Sequence, residues 1–132
     1  MKTQTRYGIY ETNSSSMHSL SFDNSAVTTE INNEEKRIVL GTGEYGWGYE
    51  ELTEPLEKMD YLAIETEHSE IKKHLLEAAI EEVYPNAVID FDYSGYIDHQ
   101  SYGEIWNELD TVDDVYKCIF GKSVINIDND NH

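Results

Sequence analysis

The sequence predicts a single α+β domain, 1–132, built from an antiparallel or mixed sheet with about three helices packed on one face. Three observations predict it. Segments that alternate apolar and polar residues stand near both ends of the chain, at 17–22 and 123–128. Between them lie segments with helical periodicity and helix-start signals. Aromatic residues make up 11% of the chain, which sets it apart from the aromatic-poor acidic sequences that stay disordered. Strands first and last, with helices between, point to a sheet covered by helices on one side.

The elements follow in order. TRYGIY (5–10) and MHSLSF (17–22) read as strands, joined by the turn-forming run ETNSSS. Residues 23–35 are polar and read as an excursion; 36–42, KRIVLGT, returns to a strand. GTGEYGWGY (41–49) combines four glycines with three aromatic rings, a loop whose backbone can take φ > 0 and whose rings must pack somewhere. Thr53 and Pro55 mark the start of a helix over 54–63. Ser69 is a plausible N-cap for a second helix, with Ile71, Leu75, Ala79 and Val83 along one face and Pro85 beyond its end. NAVIDFDY (86–93) sets Ile89, Phe91 and Tyr93 against Asp90 and Asp92, a half-exposed strand. SGYIDHQSYG reads as a loop and 104–109 as a short helix. Thr111 with Asp114 resembles a capping box, Val112, Val115, Tyr116 and Ile119 form the third helix's stripe, and Gly121 closes it.

Charge separates the chain into two parts. The net charge is -18. Residues 1–42 hold four cations and five anions, netting -1; residues 43–132 hold five and 22, netting -17. These carboxylates are interleaved with Ile, Leu, Val, Tyr and Trp, so they decorate folded elements. A chain of this mass exposes roughly 7,000 Å². Seventeen charges on about half of that give one per roughly 200 Å²; duplex DNA carries about one per roughly 100 Å² of its outer cylinder. An acidic face this dense is suited to competing with nucleic acid for a basic groove. It also disfavours direct binding to nucleic acid or anionic membrane. Solubility alone is served by a net charge of about 2 to 8 in a small domain.

No apolar run approaches the length of a membrane span, and MKTQTRYGIYE has no apolar core of a signal peptide. One cysteine, Cys118, cannot form an internal disulfide, which suits a reducing cytoplasm; its neighbours Ile119 and Phe120 predict a buried, inert thiol.

Several residue sets have chemical potential. Glu11, Asn13, Ser14, Ser15, Ser16 and His18 place hydroxyls, an acid and an imidazole within eight residues, the ingredients of nucleophilic catalysis or of an anion nest. No Gly-x-Ser-x-Gly elbow accompanies them, and the plainer expectation is a side-chain-capped turn with His18 on the strand face beside Leu20 and Phe22. Asp90, Asp92, Asp98, Asp128 and Asp130, with His99 and His132, would suit Mg²⁺ or Mn²⁺ if strands 86–93 and 123–128 paired. DNDNH lacks the Gly and the distal Glu of a calcium loop, so no metal and no cofactor is expected.

RYGIYETNSSSMHSLSF, together with GEYGWGYEELTEPLEKMDYLA (43–63), resembles a group of small phage and prophage proteins of Gram-positive bacteria. The likeness covers roughly the first half of the chain. It implies phage or mobile-element origin and brings no activity with it. Size and charge also resemble those of small acidic anti-CRISPR, anti-restriction and glycosylase-inhibitor proteins.

The reading that joins these observations is a non-enzymatic, acidic protein of the host-cell cytoplasm. It inhibits a host or defence protein by occupying that protein's basic nucleic-acid groove. Glu50, Glu51, Glu54, Glu57, Glu81, Glu82, Asp90 and Asp92 stand in for phosphates, and Tyr45, Trp47 and Tyr49 are aromatic anchors. The rival is a ligand-binding or enzymatic domain with Glu11, Ser15 and His18 as its catalytic residues.

Overall fold

A computed structural model describes residues 16–25, 27, 29–46, 49–97 and 104–129. The expected α+β class holds. Among the described residues the strands sort into one three-stranded antiparallel sheet and two short parallel pairs.

The antiparallel sheet has the order β1 (Ser16–Ser21), β7 (Val124–Asn129), β4 (Glu50–Leu52). The first and last strands of the described residues are therefore neighbours, with His18 opposite Ile127 and Leu20 opposite Ile125. β4 pairs the other edge of β7, with Leu52 opposite Ile125. Leu20, Leu52, Ile125 and Ile127 point into the core.

β2 (Arg37–Leu40) runs parallel to β5 (Val88–Phe91), and β3 (Glu44–Tyr45) runs parallel to β6 (Tyr96–Ile97). These are two parts of one ribbon. Backbone bonds from Asp92 to Leu40, Gly95 to Gly41 and Tyr96 to Gly43 bridge the gap between them. The register gains one residue on the second strand across the gap, a bulge. Gly41 accommodates it at φ 89, and Gly95 must be a glycine because a Cβ there would collide with the carbonyls of Gly43 and Gly41. The pairing of 86–93 with 123–128 that a shared carboxylate cluster would need is absent among the described residues: β5 pairs β2, and β7 pairs β1 and β4. The parallel partner is reached through the helical crossover, a long-range choice that alternation alone does not encode.

α1 (Pro55–Ile64) starts with Pro55 in its first turn as expected, one residue later than the 54–63 reading, with Glu54 at its N-cap. α2 (Glu70–Glu81) is capped by the Ser69 hydroxyl, which accepts the Lys72 N–H. Its buried face is Leu76, Ala79 and Ile80, continued by Val83. Ile71, expected on that face, is 76% exposed. A strict four-residue spacing drifts about 40° per step around a 3.6-residue helix, so it leaves the core within two turns. α3 (Val112–Phe120) carries the expected Thr111–Asp114 capping box and buries Val115, Cys118 and Ile119. The 104–109 segment is a short 3₁₀ turn over Trp106–Glu108, whose indole N–H donates to the Leu62 carbonyl at 3.1 Å.

Candidate functional site

The N-terminal end of α1 and the adjoining edge strand β4 gather the densest set of the predicted carboxylates. β4 supplies Glu50 and Glu51; the helix start supplies Glu54 at the cap and Glu57 three residues on. Glu57 accepts the Glu54 backbone N–H at 3.4 Å. Glu51, Glu54 and Glu57 are exposed and Glu50 is half-buried. Partial burial, followed by the Glu57 charge, raises the Glu50 carboxyl above the ordinary range. Negative groups suit a helix N-terminus, whose free amides and dipole attract them. Local physics therefore concentrates charge here at little cost.

Apolar surface stands among these groups. Leu56, in the first helical turn, is 58% exposed. Tyr49 is 67% exposed, and its hydroxyl donates to Glu51 at 2.7 Å. The ion pairs among the described residues are Arg37–Asp90 and Lys117–Asp113, and neither involves Glu50, Glu51, Glu54 or Glu57.

The other predicted carboxylates lie elsewhere. Glu81 and Glu82 end α2, exposed, with no basic residue in its last turn. That end of the dipole is negative, so their placement works against the helix. Asp92 is exposed just past β5, and Asp90 is ion-paired with Arg37 across the parallel ribbon. The eight residues thus occupy three places in the fold: the β4–α1 corner, the end of α2 and the β5 strand.

Tyr45 requires correction as a partner anchor. It is buried, its ring meets Tyr61 edge-on at 5.2 Å, and its hydroxyl donates to Asp60 at 2.8 Å. The glycine-rich loop packs on the core at this point because Asp60 organises it. Asp60 Oδ1 accepts the amides of Gly41 and Thr42 at 2.7 and 2.9 Å, and Oδ2 accepts that of Gly43 at 2.9 Å. Successive amides converging on an anion form a nest, and here a side chain of the same molecule fills it. Trp47 lies outside the described residues.

Of the serine-rich set, Glu11, Asn13, Ser14 and Ser15 lie outside the described residues. Ser16 opens β1. His18 is buried beside Leu20, with Phe22 packed against the same core, as the plainer expectation has it. Its Nδ1 stands 2.6 Å from the Tyr61 hydroxyl. Burial first, then the charges of Glu65 and Glu104, push the Tyr61 hydroxyl far above its ordinary value, so it stays protonated at neutral pH. The imidazole is engaged inside the core.

Of the potential metal ligands, Asp98, His99, Asp130 and His132 lie outside the described residues. Asp90 and Asp128 sit on strands of different sheets. Among the described residues no group of three His, Cys, Asp or Glu side chains is arranged to hold a metal.

The structure adds residues that the sequence reading does not single out. Lys58 is completely buried in α1, and its Nζ donates to the Ser123 carbonyl at 2.9 Å. Burial lowers its pKa, partly offset by Cys118 and Glu54. Burial pushes the Cys118 thiol up to about 12, so it is an inert thiol at neutral pH. Lys58, Tyr61, Leu62 and Glu65 are spaced as one helical face, and that spacing is the signal available in the sequence.

No family model, curated protein or solved structure matches the chain. Among the described residues no helix is long and apolar enough to cross a membrane.

Proposed function

We propose that the chain is an acidic, phage-type binding protein that inhibits a host nucleic-acid-binding enzyme or defence complex by occupying its basic groove. The observation that carries this reading is the β4–α1 corner. There Glu50, Glu51, Glu54 and Glu57 share one strand–helix segment with the exposed Leu56 and Tyr49, and none of the four is in an ion pair among the described residues. Carboxylates stand in for phosphates, while Leu56 and Tyr49 supply apolar contacts that a phosphate backbone lacks. The phage origin implied by the sequence resemblance supports the same reading. Glu81 and Glu82 support it too, since they add charge where the helix dipole disfavours it.

The test begins with capture from bacterial lysate on immobilised protein at low and high salt, followed by elution with duplex DNA or RNA. Specific partners should bind at low salt and be displaced by nucleic acid. Association rates are then compared for wild type and for the variant carrying Glu50→Gln, Glu51→Gln, Glu54→Gln and Glu57→Gln. The variant should associate at least tenfold more slowly at low salt, with the difference shrinking as salt shortens the Debye length. Equal rates, or a partner that nucleic acid fails to displace, would defeat the mimicry.

A further inference from the structure

We infer that the outer face of the β2–β5 ribbon is a self-association surface that docks against the same face of a second copy of this chain. In this pair Arg37 stands beside Val88 and Val39 beside Asp90. Ile38 and Leu40 turn inward, and Ile89 and Phe91 pack on the core, so Arg37, Val39, Val88 and Asp90 share the outward face. Val39 is 48% exposed and Val88 55%. Parallel strands normally have both faces covered, and two strands alone form a marginal sheet. The inner face here is covered; the outer face presents two β-branched residues to water.

The arrangement of the four residues identifies the occupant. The valines occupy one diagonal of the two-by-two patch, and Arg37 and Asp90 the other. A two-fold axis laid between two such faces along the valine diagonal sets each valine on its own counterpart. The same axis brings Arg37 over Asp90 of the second copy. The patch is therefore self-complementary, as an isologous contact requires. The strands of the two copies would cross steeply, one of the two usual ways for sheets to pack face to face. Arg37 and Asp90 already pair within the chain, so association joins two existing pairs into a ring of alternating charge.

Net charge narrows the choice further. Two bodies of -18 repel, and contact is tolerated only where the local charge balances. Within the two-by-two patch one cation balances one anion, and the further exposed carboxylate on that face, Asp92, lies just past the end of β5. A basic partner is drawn to the β4–α1 corner instead. The two valines and the ion pair fall short of the roughly 800 Å² per partner of a stable interface. A neighbouring groove of about 340 Å³, lined by Glu35, Lys36, Arg37, Asn86 and Val88, borders the patch and would extend the contact. The dimer is weak and depends on concentration.

Sedimentation equilibrium of the full chain tests this. Wild type should show a monomer–dimer equilibrium that added salt strengthens, because salt screens the long-range repulsion. Val39→Lys should be monomeric. Arg37→Asp and Asp90→Arg should each be monomeric alone, with circular dichroism and thermal unfolding like wild type, since the pair they alter is exposed. Mixed in equal amounts, these two should dimerise, because one presents two anions and the other two cations. A wild type that stays monomeric at its highest soluble concentration would overturn the proposal. So would a dimer that survives Val39→Lys, or a mixture that fails to associate. A monomer whose capture of another protein is lost in Val39→Lys would also overturn it, assigning the face to that protein.

Discussion

Asp60 and Glu57 lie three residues apart on α1, and their carboxylates meet opposite environments. Asp60 accepts three backbone amides and a tyrosine hydroxyl, so its charge is consumed in holding the 41–43 bend to the helix. Glu57 accepts one long bond from the helix cap and otherwise faces water beside Glu50 and Glu54. One carboxylate acts inward as an organiser of the chain. The other belongs to an outward-facing group in which partial burial, followed by the Glu57 charge, raises the Glu50 carboxyl above its ordinary value. Charge count alone cannot distinguish the two roles; convergent donors can. Only the outward group remains available to a cationic partner.

The harshest way to break this contrast is Asp60→Ala. It leaves the Gly41, Thr42 and Gly43 amides and the Tyr45 hydroxyl without their acceptor, in a part-buried bend. A charge-assisted hydrogen bond contributes about 1.5–3 kcal/mol, and stranded donors cost more. Denaturant unfolding should show a loss of about 3 kcal/mol, whereas Glu57→Ala should lose under about 1 kcal/mol as a cap contact. If both variants lose equally little, Asp60 is not the organiser described here.

Lys58 sharpens the contrast with a cation from the same helix. Completely buried, its ammonium donates to the Ser123 carbonyl. Lys58→Met keeps the length and removes the buried charge, so it should stabilise the protein by about 1–2 kcal/mol at pH 7, in line with other buried charges replaced by apolar groups. The pH dependence has a definite sign. Burial depresses the folded-state pKa below the ordinary 10.5, so above that folded pKa the unfolded chain binds more protons than the folded one. Wild-type stability therefore gains from Lys58 as pH climbs toward 10.5, and the advantage of Lys58→Met should narrow over the same range. A constant gap would mean that Lys58 keeps its proton in the fold.

These two inward-acting charges also show where a sequence stops being legible. The caps of α2 and α3 are readable because Ser69 and the Thr111–Asp114 pair act within one turn. β1 and β7 are readable because alternation is local, and the burial of Cys118 follows from its apolar neighbours. Tyr45 is misread as an anchor because its environment depends on Asp60, fifteen residues away. β3 and β6 are two residues each, too short to show a period, and they exist because the bulge carries the ribbon onward. The Glu50–Glu57 corner is half legible: its acids stand out, but only the turn from β4 into α1 brings the Glu57 charge to bear on Glu50.

The smallest expected effect is the most informative about that corner. Glu50 is half-buried beside Glu57, and its folded-state pKa is raised, first by burial and then by that neighbour. Below the unfolded carboxyl pKa of about 4.3 the group is protonated in both states and costs nothing. As pH rises through the folded pKa, the folded state must accept a charge that it disfavours, so stability is lost. Glu50→Gln should therefore be more stable than wild type by a few tenths of a kcal/mol at pH 7, a size typical of solvent-screened charge interactions. The difference should disappear near pH 4, as thermal unfolding at the two pH values will show. Glu57→Gln should reproduce a fraction of it, and the double variant should gain less than the sum, because the two share one repulsion. A carboxylate whose removal stabilises the fold is not there to hold the fold together. If Glu50→Gln instead destabilises at pH 7, the corner belongs with Asp60 among the structural charges, and the partner surface must be sought elsewhere.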